Sequence, residues 1–210
     1  MKYILCYGDS NTWGYIPGGK GRYEYAVRWT GAAQRLLGDG YRIIEEGLNG
    51  RTTVFDSPFD GSVLNCKSHL MCCLTSHAPL DAVVIMLGTN DLMHSHTAWE
   101  ASRGCITLSR MVMNGALHFN AHTPRLLLVS PIHIGREIAE TDQSPLSVSG
   151  YEESLKFAPL YEQAAARIGI DFLDAAKYAG PSPVDNEHMD AEGHAALAAA
   201  IADKLKTMLG

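Results

Sequence analysis

Two six-residue stretches, Ala82–Leu87 (AVVIML) and Arg125–Ser130 (RLLLVS), are apolar at nearly every position. A strand wetted on one side alternates apolar and polar residues, so runs like these require cover on both faces. Tyr3–Tyr7, Tyr41–Glu46 and Ile170–Leu173 are further runs that read as strands. Helix-length segments separate and follow them: about Ala26–Leu37, Leu64–Ser76, Ala98–Phe119, Gly150–Arg167 and Asp190–Leu209, the last capped by Asp190. Such alternation, joined by right-handed crossovers, predicts an α/β fold: a parallel sheet with helices on both sides. No domain-scale linker or repeat interrupts it, so residues 1–210 are read as a single domain.

Ligands of an open parallel sheet bind beyond the carboxyl ends of its strands. The longest irregular stretches, 11–25, 51–62 and 134–149, all follow strand ends, and they direct attention to that edge.

Charge and composition remove several classes of function. A net charge of −6 offers no basic face to a polyanion, so no nucleic-acid partner is expected. No run of 18 apolar residues is present, which argues against a membrane span. The first residues lack the apolar stretch and cleavage site of a secretory signal, so the cytoplasm is the expected compartment. The five cysteines show no C-x-x-C and no paired zinc-ligand spacing, and they read as buried thiols in a reducing compartment.

The chemistry begins after the first strand, at Gly8-Asp9-Ser10-Asn11-Thr12. A serine where a strand turns toward a helix is presented at the sheet's carboxyl edge, beside backbone N–H groups that can face an oxyanion. Asp-Ser-Asn-Thr is equally a helix-start composition. After the second strand, Gly50 (in Gly47-Leu48-Asn49-Gly50) leaves its N–H open to a substrate oxygen. After the third, Asn90 (in Gly88-Thr89-Asn90-Asp91) carries an amide that can point to the same place. Near the end of the chain lies Asp185-Asn186-Glu187-His188. A carboxylate three residues before a histidine can accept its Nδ1 proton and leave Nε2 free to deprotonate a hydroxyl.

Together these blocks resemble the SGNH (GDSL-type) hydrolases. GDSN at 8–11, GLNG at 47–50, GTND at 88–91 and DNEH at 185–188 match that family's four motif blocks, with Asn11 where its usual leucine stands. The flanking GDSNTWGY and EEGLNGRTT look closest to bacterial arylesterases and acyltransferases. The resemblance implies a flavodoxin-like three-layer α/β/α sandwich with a five-stranded parallel sheet in the order 2-1-3-4-5. It implies Ser10 as nucleophile, His188 as base and then acid, and Asp185 as the residue that orients it. The N–H groups of Ser10 and Gly50 and the Asn90 side chain would form the oxyanion hole. No metal or organic cofactor is implied, and the partner is a small ester, with a homo-oligomer left open. Asp9 and Asp91 are read as hydrogen-bonding the loops, and Asn11 bears on the pocket lining.

The expected activity is hydrolysis of short-chain acyl esters of small alcohols, aryl alcohols or sugars through an acyl-enzyme. The rivals are acyl transfer to an alcohol and a non-catalytic binding module on the same fold. Trp13, Tyr15, Tyr23 and Tyr25 either wall the pocket or pack beneath a long loop. Arg51 reads as a substrate contact or a surface ion pair, Trp99 as helix core, and His194 as structural or solvated. Asp91, His94 and His96 have the look of metal donors but lack identifiable further ligands, so they are placed at a pocket rim.

Overall fold

Alternate residues of the strands feed two separate cores, which is why their sequences are apolar throughout. In Ala82–Met86, Val83 and Ile85 enter one cluster while Ala82, Val84 and Met86 enter the other. In Arg125–Ser130 the same division puts Leu126 and Leu128 on one face and Leu127 and Val129 on the other. Each large side chain buried this way contributes ~1.5–3 kcal/mol relative to exposure, so the two-sided pattern is strongly specified.

The computed structural model describes residues 1–57, 60–115, 122–140 and 148–210. In chain order the elements are β1 (Lys2–Gly8), α1 (Ser10–Trp13), α2 (Trp29–Leu37), β2 (Tyr41–Gly47), α3 (Cys66–Ser76), β3 (Ala82–Met86) and α4 (Thr89–Met93). They continue with α5 (Ala98–Gly115), β4 (Arg125–Ser130), α6 (Val148–Ser154), α7 (Phe157–Ile168), β5 (Asp171–Asp174) and α8 (Ala191–Leu209). The five strands pair in parallel in the order β2-β1-β3-β4-β5, as the resemblance implied. Helices α2 and α8 cover one face of the sheet; α3, α5 and α7 cover the other. Among the described residues no helix is long and apolar enough to cross a membrane.

Several boundaries differ from expectation for local reasons. The helix expected over Gly150–Arg167 is two helices, α6 and α7. Pro159 sits in the first turn of α7, where its missing N–H costs nothing, whereas farther inside a continuous helix it would clash with the preceding turn. Helix α3 starts two residues late because Asn65 caps it, its side chain accepting the Lys67 N–H at 2.9 Å. Helix α2 starts at Trp29 because residues 24–28 form a separate turn closed on the Glu24 carbonyl. The end of the segment expected to reach Phe119, and parts of the 51–62 and 134–149 loops, lie outside the described residues. Trp99 is not core: it is 59% exposed. The buried stripe of α5 runs through Ala98, Ala101, Cys105, Leu108 and Val112, and Trp99 falls one residue off it.

Candidate active site

Strand β1 ends at Gly8, where a Cβ would lie 2.1 Å from Thr12 Oγ1 and 2.9 Å from the Met86 carbonyl oxygen. Only glycine allows that approach, and it folds the chain directly into α1. Asp9 caps this turn, its carboxylate accepting the Asn11 N–H at 3.1 Å. The capping composition therefore belongs to Asp9. Ser10 is the first helical residue, so its N–H has no acceptor within the helix, and the residue retains 6% exposure.

The loop before α8 delivers the other end of the chain. Ser182 N–H donates to the His188 carbonyl at 2.7 Å, Asn186 N–H returns to Ser182 at 2.8 Å, and Gly135 N–H holds the Asn186 carbonyl at 2.7 Å. Within this loop Asp185 accepts the backbone N–H groups of Glu187 and His188 on one oxygen, at 3.1 and 3.0 Å. Its other oxygen receives the Gly18 N–H at 3.2 Å and meets His188 Nδ1 at 2.9 Å. His188 Nε2 lies 2.9 Å from Ser10 Oγ. The imidazole thus bridges hydroxyl and carboxylate, a geometry able to carry a proton away from the hydroxyl.

The electrostatics agree with that geometry. Burial pulls the His188 imidazolium down, but the Asp185 hydrogen bond and the negative field of Glu187, Asp185 and Asp9 outweigh it, and its pKa lies above the usual 6.5. Burial likewise pushes Asp185 up, yet its bonds to His188 prevail and hold it below the ordinary carboxylate value. The pair is poised so that charge on the imidazole is favoured when a proton arrives.

Two further loops leave the sheet at the same edge, since Gly8 pairs with Gly47 and with Met86. Gly50 adopts φ +74°, a left-handed conformation that a side chain would strain, and among the described residues its N–H has no partner. Asn90 Nδ2 donates one proton to the Arg51 carbonyl at 3.1 Å, which ties the loop after β3 to the loop after β2 and leaves its second amide proton available. Asp91 reinforces the tie by accepting both the N–H and the hydroxyl of Thr53. Burial pushes Asp9 and Asp91 up to about 7 each. Both work as loop anchors, as expected from the sequence.

Arg51 is buried and is no surface ion pair. It is 4% exposed, stacks 4.3 Å from the Tyr7 ring centroid, and donates to the carbonyls of Gly8 and Glu46. It buttresses the ends of β1 and β2 from within. Asn11 does more than line a pocket, since its amide reaches the residues on both sides of His188. The only sequence signal for this was a polar residue beside the serine where the family carries an apolar one.

Of the four aromatics, Tyr15 stacks against His188 with centroids 4.3 Å apart, and Trp13 lies 6.4 Å beyond it. Tyr23 instead edges onto His194, and Tyr25 is exposed beneath Arg28. His194 is structural: it is fully buried and accepts the Trp29 N–H at 3.2 Å. Asp91, His94 and His96 do not bring donor atoms together; His96 stacks on Phe55 at 3.6 Å. All five cysteines are free, but Cys72 is exposed, against the expectation that every thiol is buried.

The family model described as GDSL-like Lipase/Acylhydrolase matches residues 6–196. A carbohydrate acetylesterase from Sinorhizobium meliloti is 37% identical over 99% of this chain and 100% of its own, with a TM-score of 0.88. The native aryl esterase of M. smegmatis is 34% identical over the whole of both chains, with a TM-score of 0.90. A further carbohydrate acetylesterase family member from Sinorhizobium meliloti is 36% identical over the whole of both chains, also at 0.90. Comparison with curated proteins returned no match.

Proposed function

The chain belongs to the GDSL-like lipase/acylhydrolase (SGNH) family and is an esterase of it, and from that premise we propose that Ser10, His188 and Asp185 are its catalytic triad. The observation that carries this reading is the continuous contact from Ser10 Oγ through the imidazole to Asp185, 2.9 Å at each step.

In the proposed mechanism Ser10 Oγ attacks the ester carbonyl as its proton passes to His188 Nε2. Asp185 holds the imidazole in the required tautomer and stabilises the imidazolium. The oxyanion is received by the N–H groups of Ser10 and Gly50 and by the free proton of the Asn90 amide. The intermediate then collapses, His188 returns the proton to the departing alcohol, and the acyl group stays on Ser10. Water, deprotonated by the same imidazole, releases the acid.

The proposed substrates are short-chain acyl esters, acetyl esters foremost, of small or aryl alcohols or of sugars. Support comes from the carbohydrate acetylesterases and the aryl esterase that resemble this chain over its full length. It also comes from the tight setting of Ser10, with Tyr15 closing one side of the imidazole. p-Nitrophenyl esters of rising chain length, with acetylated sugars alongside, test the proposal. Acetate should be turned over fastest, and Ser10→Ala should lose the activity. Equal rates for Ser10→Ala and the unaltered enzyme would refute the assignment.

A further inference from the structure

Helix α3 carries a second cluster of reactive side chains, directed at the edge strand β2 rather than at the sheet's carboxyl rim. His69 and Cys73 are four residues apart and so share one helix face. Cys73 Sγ lies 3.3 Å from His69 Nδ1. Glu46, on β2, completes a group whose three donor atoms, one nitrogen, one sulfur and one oxygen, all lie within 4.8 Å of one another. His77, at the C-terminal cap of the same helix, places Nε2 2.9 Å from Glu46 Oε1.

We propose that Glu46, His69 and Cys73 form a binding site for a borderline-soft divalent cation of the zinc type, which would fasten the edge strand to α3. The donor set is the argument. Imidazole, thiolate and carboxylate are zinc's usual ligands, whereas a thiolate selects against magnesium and calcium. In a tetrahedral site, zinc–sulfur and zinc–nitrogen bonds of about 2.3 and 2.0–2.1 Å set those two atoms roughly 3.5 Å apart. The observed 3.3 Å is close to that edge of the tetrahedron. His69 is exposed and Glu46 half-buried, so solvent reaches the site and water can take the fourth position. His77 supplies the outer partner that a ligating carboxylate commonly has.

Burial and the neighbouring Glu46 push the Cys73 thiol up to about 12, so it is protonated at neutral pH. A bound dication would reverse that balance and expel the proton. No step of the esterase mechanism passes through this cluster.

The test is titration of the chelator-stripped full chain with zinc chloride in weak buffer, followed by cobalt(II) chloride as a spectroscopic substitute. The expected result is one equivalent of zinc bound, about one proton released with it, a rise in Tm, and a thiolate-to-cobalt charge-transfer band. His69→Ala and Cys73→Ser should each abolish stoichiometric uptake; His69 is exposed, so that variant leaves the core intact. His77→Ala should weaken binding about 10–100-fold. Cys72→Ser and His94→Ala should bind as the unaltered protein does. No saturable uptake, or uptake unchanged in both His69→Ala and Cys73→Ser, would overturn the proposal.

Discussion

Asn11 and Met189, the residues that follow Ser10 and His188 in the chain, are themselves joined: the Met189 N–H donates to Asn11 Oδ1 at 3.0 Å. The same amide donates from Nδ2 to the Glu187 carbonyl at 3.4 Å, so one side chain grips the backbone on both sides of the imidazole. In the proposed triad Asn11 is thereby a positioning residue that sets the distance between hydroxyl and base.

Asn11→Ala should lower kcat roughly 10–100-fold, because displacement of a catalytic group by about an ångström has effects of that size. It should also cost ~1–3 kcal/mol of stability by leaving the buried Met189 N–H unpaired. Steady-state kinetics with thermal unfolding measures both. An unchanged kcat would show that the histidine loop holds its place without the amide.

The acid limb of kcat/KM should reflect His188. A base works only when neutral, so activity falls as pH drops through its pKa, and the limb should lie above 6.5. Asp185→Asn removes the main favourable partner of the imidazolium. It should move the limb to lower pH and cut kcat by about 10⁴-fold. A pH–rate profile of both proteins checks the sign, and a limb that stays in place would disconnect Asp185 from the base.

Asn90→Ala should lower kcat about 10²–10³-fold with a smaller change in KM, since the developing oxyanion needs the donor more than the ground-state carbonyl does. The Arg51 carbonyl would also lose its donor. A melting curve run beside the kinetics separates loss of the donor from loosening of the loop.

His194 makes stability depend on pH in a defined window. Burial lowers its pKa to about 4 from the usual 6.5. Between these values the unfolded chain holds more protons than the folded one, so stability is full above 6.5, falls as pH drops, and levels off below about 4. A shift of this size corresponds to on the order of 3 kcal/mol. His194→Asn retains an acceptor for the Trp29 N–H but has no titrating ring, so denaturant unfolding from pH 7 to 4 should show a flatter loss.

The parts legible from sequence were those carried by short-range patterns. Two-sided burial made the central strands wholly apolar, and the four motif blocks sit at strand ends or immediately before α8, so the topology and the Ser10–His188–Asp185 convergence could be anticipated. Roles that depend on what lies across a fold could not. Arg51 looked like a surface or substrate cation because nothing nearby in sequence shows the Tyr7 ring and the two carbonyls that enclose it. Asn11 acts on residues 176 and 178 positions away, and no local pattern encodes that reach. Trp99 was misplaced because a single aromatic near a helix start does not reveal which face is buried. Glu46, His69 and Cys73 come from two elements and display no motif.

The 178 positions between Ser10 and His188 also separate them in time. Ribosomes add about 5–20 residues per second, so the hydroxyl is made roughly 10–40 s before its base exists. All five strands precede that histidine in order of synthesis. On the proposed mechanism a nascent chain can therefore begin to build its sheet while chemically silent, and cleavage of esters can start only when one of the last pieces translated has docked.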